Sequence, residues 1–110
     1  MNELNKQLKK GALEIIILKL ISKKEMYGYE MIKYLEEKSN KYYSLKEGSL
    51  YPILYRLEDK KLIESFRKEF SGQRKVPRKY YKITNLGLIE LKNYLEIWND
   101  FVINTNKILD

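Results

Sequence analysis

The sequence contains no cysteine and no histidine. The first absence excludes disulfides, thiolate metal sites and cysteine nucleophiles, and suits a reducing cytosol, so a cytoplasmic location is expected. The second removes the commonest general base and the commonest metal ligand, so neither a metal nor a cofactor is expected. There is no phosphate-cradling glycine motif and no convincing pair of carboxylates. A lysine or serine nucleophile remains, and no spacing supports one, so an enzyme is the least favoured reading. Long apolar runs are also missing. The longest, Ile15 to Leu18, is bounded by Glu14 and Lys19, which is too short to span a bilayer. Residues Met1 to Lys10 lack the apolar core of a secretory signal.

What is present is positive charge in one place. The 110 residues carry a formal net charge of +7. Between Lys60 and Lys82 lie Lys60, Lys61, Arg67, Lys68, Arg74, Lys75, Arg78, Lys79 and Lys82, opposed only by Glu64 and Glu69. Elsewhere the charges cancel. A surplus this local is the footprint of a polyanion, and nucleic acid is the leading candidate. The plainer alternative is a solvated, lysine-rich surface.

The length fits one domain. Leu4 to Ile21 has helical apolar spacing, and its second half is apolar nearly all round, which predicts contact with a partner chain as well as with its own core. Ser22 to Met26 reads as a polar break, Tyr27 to Lys38 as a second helix and Ser39 to Tyr43 as a loop. Gly28 suggests close backbone packing. Ser44 and Glu47 have the spacing of a capping box. Pro52, eight residues on, implies either a kink or a helix starting near Gly48 and Ser49; the second is preferred. Leu50, Ile53, Leu54 and Leu57 would form its core face, with Tyr51, Pro52, Tyr55, Arg56 and Asp59 pointing away. Gly48 reads as a backbone requirement.

Leu62 to Phe70 and Arg78 to Thr84 read as strands of a hairpin with a basic tip from Gly72 to Pro77. Tyr81 and Ile83 share one face, Tyr80 and Lys82 the other, so one ring of the tyrosine pair is expected in the core and one on the surface. Thr84 and Asn85 cap a last helix from Leu86 to Leu109. Along it Leu88, Leu91, Leu95, Trp98, Val102, Thr105 and Leu109 alternate at spacings of three and four, a heptad seam widened by Ile89, Ile97, Phe101 and Ile108. A domain this small cannot cover so long a stripe, so a second copy of the chain is expected there.

Three helices followed by a basic two-stranded hairpin is the order of a winged helix-turn-helix. The expected fold is mainly α with a small β-hairpin: a DNA-binding unit over residues 1–84 and a dimerisation helix over 85–110, forming one unit. Four segments carry a resemblance as well: Tyr27-Gly28-Tyr29-Glu30, Glu47-Gly48-Ser49-Leu50-Tyr51-Pro52, Arg56-Leu57-Glu58, and Arg78-Lys79-Tyr80-Tyr81-Lys82-Ile83-Thr84. In this order they resemble the PadR family of bacterial transcriptional regulators, from about Gly11 to Trp98. The short chain with a single C-terminal helix is similar to the smaller subfamily. The resemblance implies a homodimer that binds double-stranded operator DNA, usually as a repressor, and in some members a response to aromatic or other hydrophobic compounds.

On this reading the third helix enters the major groove with Ser49, Tyr51, Pro52, Tyr55 and Lys46, using hydroxyls and rings on phosphates and base edges. Gln73, Arg74, Lys75, Arg78 and Lys79 of the hairpin follow phosphates or a minor groove. Arg56 either joins them or pairs with Glu58 or Asp59. Lys6, Lys9 and Lys10 form a weaker basic patch. Tyr27 and Tyr29 read as packing residues. Trp98 lies on the seam, where symmetry brings it towards its mate. Either it fills the dimer core, or, as the resemblance implies, the two indoles sandwich a flat ligand lined also by Leu8, Ala12 and Ile15. Two other readings stay open: a winged helix serving replication or partition rather than a promoter, and a protein-interaction module whose basic wing meets an acidic partner.

Overall fold

The computed structural model describes residues 2–68 and 78–110. Four helices surround a small sheet: α1 (Glu3–Lys23), β1 (Met26–Tyr27), α2 (Gly28–Lys38), α3 (Glu47–Asp59), β2 (Ile63–Lys68), β3 (Arg78–Ile83) and α4 (Asn85–Leu109). The sheet is antiparallel in the order β1-β3-β2. The fold is that of a winged helix-turn-helix with a long C-terminal helix. The expected hairpin gains a third strand, because Met26, the end of the supposed polar break, and Tyr27, the expected start of the second helix, pair with Tyr81 and Tyr80. Two residues are too few to show strand alternation in a sequence.

The core forms where the apolar faces converge. Leu13, Ile17, Leu18 and Ile21 of α1 meet Met31 and Leu35 of α2, the predicted face Leu50, Ile53, Leu54 and Leu57 of α3, and Leu62, Ile63 and Tyr81 of the wing. The second half of α1 is therefore mostly covered by its own chain. Both tyrosines of the pair are buried, so the expectation of one surface ring is corrected. Tyr80 sits between the rings of Tyr27 and Phe66, at 5.3 and 5.9 Å between centroids. The short β1 strand supplies the cover that a two-stranded hairpin would have lacked.

Helix ends explain the segment boundaries. Asn2 caps α1 through its side chain, and the Tyr27 N–H donates to Glu30 at the start of α2. Ser44 does not cap α3. Its hydroxyl donates to the Lys41 carbonyl, and Lys46 is the N-cap residue, with extended backbone. Pro52 falls one turn into α3, leaving only the Gly48 carbonyl without its usual donor, at an exposed position. The helix therefore runs through the proline.

At the far end of α3, the Leu62 N–H donates to Leu57 O (3.0 Å) and the Lys61 N–H to Glu58 O (2.9 Å), the paired bonds of a Schellman turn. Lys61 holds the left-handed position, at φ 64°, where glycine is at ease and a side chain is strained. Lys61→Gly is expected to stabilise the protein by about 0.5–1 kcal/mol. Urea unfolding measures it, and a loss of stability would show that the lysine carries no strain.

Candidate nucleic-acid interface

Three elements meet on the surface opposite the core face of α3. The start of α2, the exposed side of α3 and the base of the wing enclose a notch of about 460 Å³ lined by Tyr27, Gly28, Tyr29, Tyr51, Arg78 and Lys79. It joins three of the expected DNA-contacting residues, Tyr51, Arg78 and Lys79. Lys46, Ser49, Pro52 and Tyr55 are exposed along α3 outside its lining. Gln73, Arg74 and Lys75 lie outside the described residues.

Gly28 explains how Tyr51 is seated. A Cβ at Gly28 would lie 2.7 Å from the Tyr51 hydroxyl, so the missing side chain is the space in which the phenol tip rests. Gly48 differs from expectation. A Cβ there would meet nothing within 4 Å, and its φ is not in the left-handed range. The fold of the chain imposes no need for glycine at this exposed place.

The notch was only partly legible. Tyr29 is exposed rather than packed, with the Lys33 ammonium 5.9 Å from its ring centre. Tyr27 does pack, under Tyr80, and also carries the Arg78 guanidinium 4.5 Å above its ring. The signal available beforehand was a glycine between two tyrosines at a helix start.

Several cations of the expected footprint are engaged within the chain. Lys82 pairs with Glu64 across the wing at 3.5 Å. Lys60 donates to Glu14 Oε2 at 2.8 Å, and the Arg56 Nε donates to Glu14 Oε1 at 3.3 Å. Arg56 thus pairs with neither Glu58 nor Asp59; Glu58 accepts from Ser65 instead. The Tyr94 hydroxyl also donates to Glu14 Oε2, at 3.1 Å. Burial disfavours the Glu14 charge, but the bonds from Lys60 and Arg56 outweigh it and hold the carboxyl below its ordinary range. Lys9 leaves the α1 patch. It is buried, donates to the Tyr42 carbonyl at 2.6 Å and lies 4.1 Å from the centre of the Tyr42 ring.

Beneath α3, Tyr81 is 1% exposed, and its hydroxyl finds no hydrogen-bond partner among the described residues. Burial, with the charges of neighbouring groups, pushes the phenol up to about 12. An unpaired buried hydroxyl costs about 1–3 kcal/mol. Tyr81→Phe, which keeps the ring, is expected to raise stability by about 1 kcal/mol and the melting temperature by a few degrees. A lower melting temperature would show that the hydroxyl is hydrogen-bonded.

On the other side, a groove of about 420 Å³ brings together Ala12 and Ile15 of α1, Tyr34 of α2, and Leu95 and Trp98 of α4. Leu8, expected with them, is exposed and does not line it. The seam on α4 divides. Leu91 is 6% exposed and belongs to the chain's own core, so it is withdrawn from the set left to face a partner. Leu95 packs against that core. Val102 and Thr105 are half-buried, whereas Leu88, Trp98 and Leu109 are exposed, as are the widening residues Ile89, Ile97, Phe101 and Ile108.

Among the described residues no cluster of acidic side chains is placed to hold a metal, and no helix is long and apolar enough to cross a membrane. A winged helix with tyrosine and cations at the junction of its third helix and wing defines a DNA-binding protein. Residues 17–93 match the model of the transcriptional regulator PadR-like family, and the chain belongs to that family. It is a DNA-binding transcriptional regulator rather than an enzyme.

The chain is 39% identical over 89 residues to an uncharacterized protein of Lysinibacillus sphaericus, covering 81% of this chain and 80% of that one. It is 35% identical over 83 residues to the negative transcriptional regulator PadR of Bacillus subtilis, covering 76% of this chain but only 44% of that protein. The fold matches a transcriptional regulator from Clostridium thermocellum with a TM-score of 0.84 at 32% identity, over 94% of this chain and 99% of that one. A PadR-like regulator of Bacillus cereus matches at 0.79 and 38%, over 94% and 97%.

Proposed function

We propose that the protein is a homodimeric repressor whose two third helices read an operator, and that a hydrophobic or aromatic molecule near Trp98 releases it. The exposed stripe on α4 carries this reading. Ile97, Trp98, Phe101, Ile108 and Leu109 are all exposed on one helix, which is more apolar surface than a monomer ordinarily leaves wet. A two-fold partner covers that stripe and presents two notches to one duplex. Ser49, Tyr51, Pro52, Tyr55 and Lys46 then face the major groove, and Arg78 and Lys79 the phosphates beside it. Gly48 fits the same reading, because open space without a side chain admits a phosphate close to the backbone. The repressor role draws on the Bacillus subtilis relative, described as a negative regulator.

The effector reading rests on the groove at Trp98. Its floor is apolar and it lies beside the stripe, so a molecule bound there alters how the two copies meet and shifts the population of DNA-compatible dimers. Fluorescence anisotropy against the DNA upstream of the protein's own gene, at about 0.15 M salt with scrambled competitor, tests operator binding. Tight binding that resists the competitor is expected, with a log–log salt slope of about −0.9 per neutralised phosphate. Binding abolished by the competitor would overturn the operator reading. A flat salt response would favour an acidic protein partner instead.

A further inference from the structure

We propose that Glu14 is a positioning residue for operator recognition, tying the angle of the DNA-reading helix α3 to the dimerisation helix α4. This inference rests on the dimeric-operator reading. Its geometry is independent of that reading. One carboxylate on α1 takes Arg56 in the last turn of α3, Lys60 just past its end, and the Tyr94 hydroxyl of α4. The Lys60 ammonium also lies 3.4 Å from the Tyr94 hydroxyl, closing the cluster.

The packing gives the cluster its importance. α3 packs chiefly on α1, α2 and β2, while α4 packs chiefly on α1. Apolar contacts between helices tolerate small sliding adjustments. Bonds converging on one carboxylate are directional, so a relative shift of α1, α3 or α4 weakens several of them together. The cluster holds the C-terminal end of α3, and the residues expected to face DNA lie N-terminal to it, from Lys46 at the far end to Tyr55 beside Arg56. A tilt of α4 carried through Tyr94 and Glu14 therefore swings the DNA-facing end of α3. In a two-fold dimer both ends swing, and the distance between the recognition helices changes. Glu14 itself lies in the cleft between α1, α3 and α4, away from the notch, and touches no DNA on this reading.

Proximity alone does not establish coupling, so the test measures coupling twice on the full chain. The first arm needs no DNA. Arg56→Gln, Tyr94→Phe and their combination are made with Glu14 and with Glu14→Gln, and unfolding is followed at one protein concentration. No hydrogen bond joins Arg56 to Tyr94 among the described residues. Their effects are expected to be non-additive with Glu14, by at least about twofold in the unfolding constant, and additive with Gln at that position. Additivity in both backgrounds would overturn the proposal.

The second arm uses duplexes carrying two copies of the half-site that footprinting maps in the DNA upstream of the protein's own gene, with the separation stepped by single base pairs around one helical turn. Wild-type protein is expected to favour one separation. Glu14→Gln and the milder Tyr94→Phe are expected to flatten that preference at least about fivefold while keeping the salt slope. A merely structural role would lower affinity equally at every separation and overturn the proposal. Wild-type protein indifferent to separation would overturn the dimeric-operator reading, and non-additivity in the first arm would then still support the coupling.

Discussion

Gly87→Ala is expected to destabilise the protein by about 3–5 kcal/mol, a large share of the roughly 5–15 kcal/mol that holds a domain of this size together. Gly87 is the third residue of α4, where its N–H donates to the Thr84 hydroxyl at 2.9 Å. An added Cβ would fall on the carbonyl oxygen of Leu62 and lie 2.6 Å from Ile83 Cγ1. Neither obstacle is a side-chain tip that can swing away. The Leu62 carbonyl is held by the Thr84 N–H at 3.0 Å, and the Thr84 hydroxyl donates to the adjacent Lys61 carbonyl at 2.7 Å. Relief requires α4 to move off the wing, breaking its cap and opening the core at Leu91. Overpacking at an ordinary core position costs about 1–3 kcal/mol. The larger value follows because backbone and cap bonds are lost as well. Circular dichroism during thermal unfolding measures it, and a melting temperature within a few degrees of wild type would refute the tight crossing of α4 over the wing.

Phe101→Asp is expected to convert the proposed dimer to a monomer and abolish the proposed operator binding. Phe101 is 50% exposed on α4 and stacks on Trp98, with centroids 6.1 Å apart. It lies outside the chain's own core, so the monomer should remain folded. At an isologous interface each substitution counts twice. Losing one buried aromatic contact costs about 2 kcal/mol or more, and burying an unpaired carboxylate adds to it. Doubled by symmetry, this weakens the dimer at least about a thousandfold. Sedimentation velocity separates the outcomes. A folded monomer that no longer binds the operator is the expected result. An unchanged dimer would move the interface off the Trp98 face, and an unfolded chain would show that the stripe stabilises the fold itself.

The wing and recognition helix were readable because their signals are local. Leu50, Ile53, Leu54 and Leu57 follow a helical period, and all four are buried. Thr84 precedes α4 and caps it as its residue type suggests. The readings that failed depended on neighbours distant in sequence. Lys9 resembled any surface lysine until Tyr42 and Tyr43 closed over it. Leu91 sat on a regular heptad seam, yet α4 packs on α1 and at that turn Leu91 joins the chain's own core.

Sequence alone determined the four helices and the two long strands of the wing in their order, the basic segment, and the excess of apolar residues on the last helix. Each follows from period, charge or turn chemistry within a few residues. Only the tertiary structure decided which cations are bound internally, which part of α4 stays exposed, how Gly28 leaves room for Tyr51, and why Gly87 must lack a side chain. Those outcomes depend on atoms of separate segments meeting within a few ångströms. The Glu14 cluster shows the difference most clearly: Glu14, Arg56, Lys60 and Tyr94 span 80 positions of the chain, and no local pattern joins them.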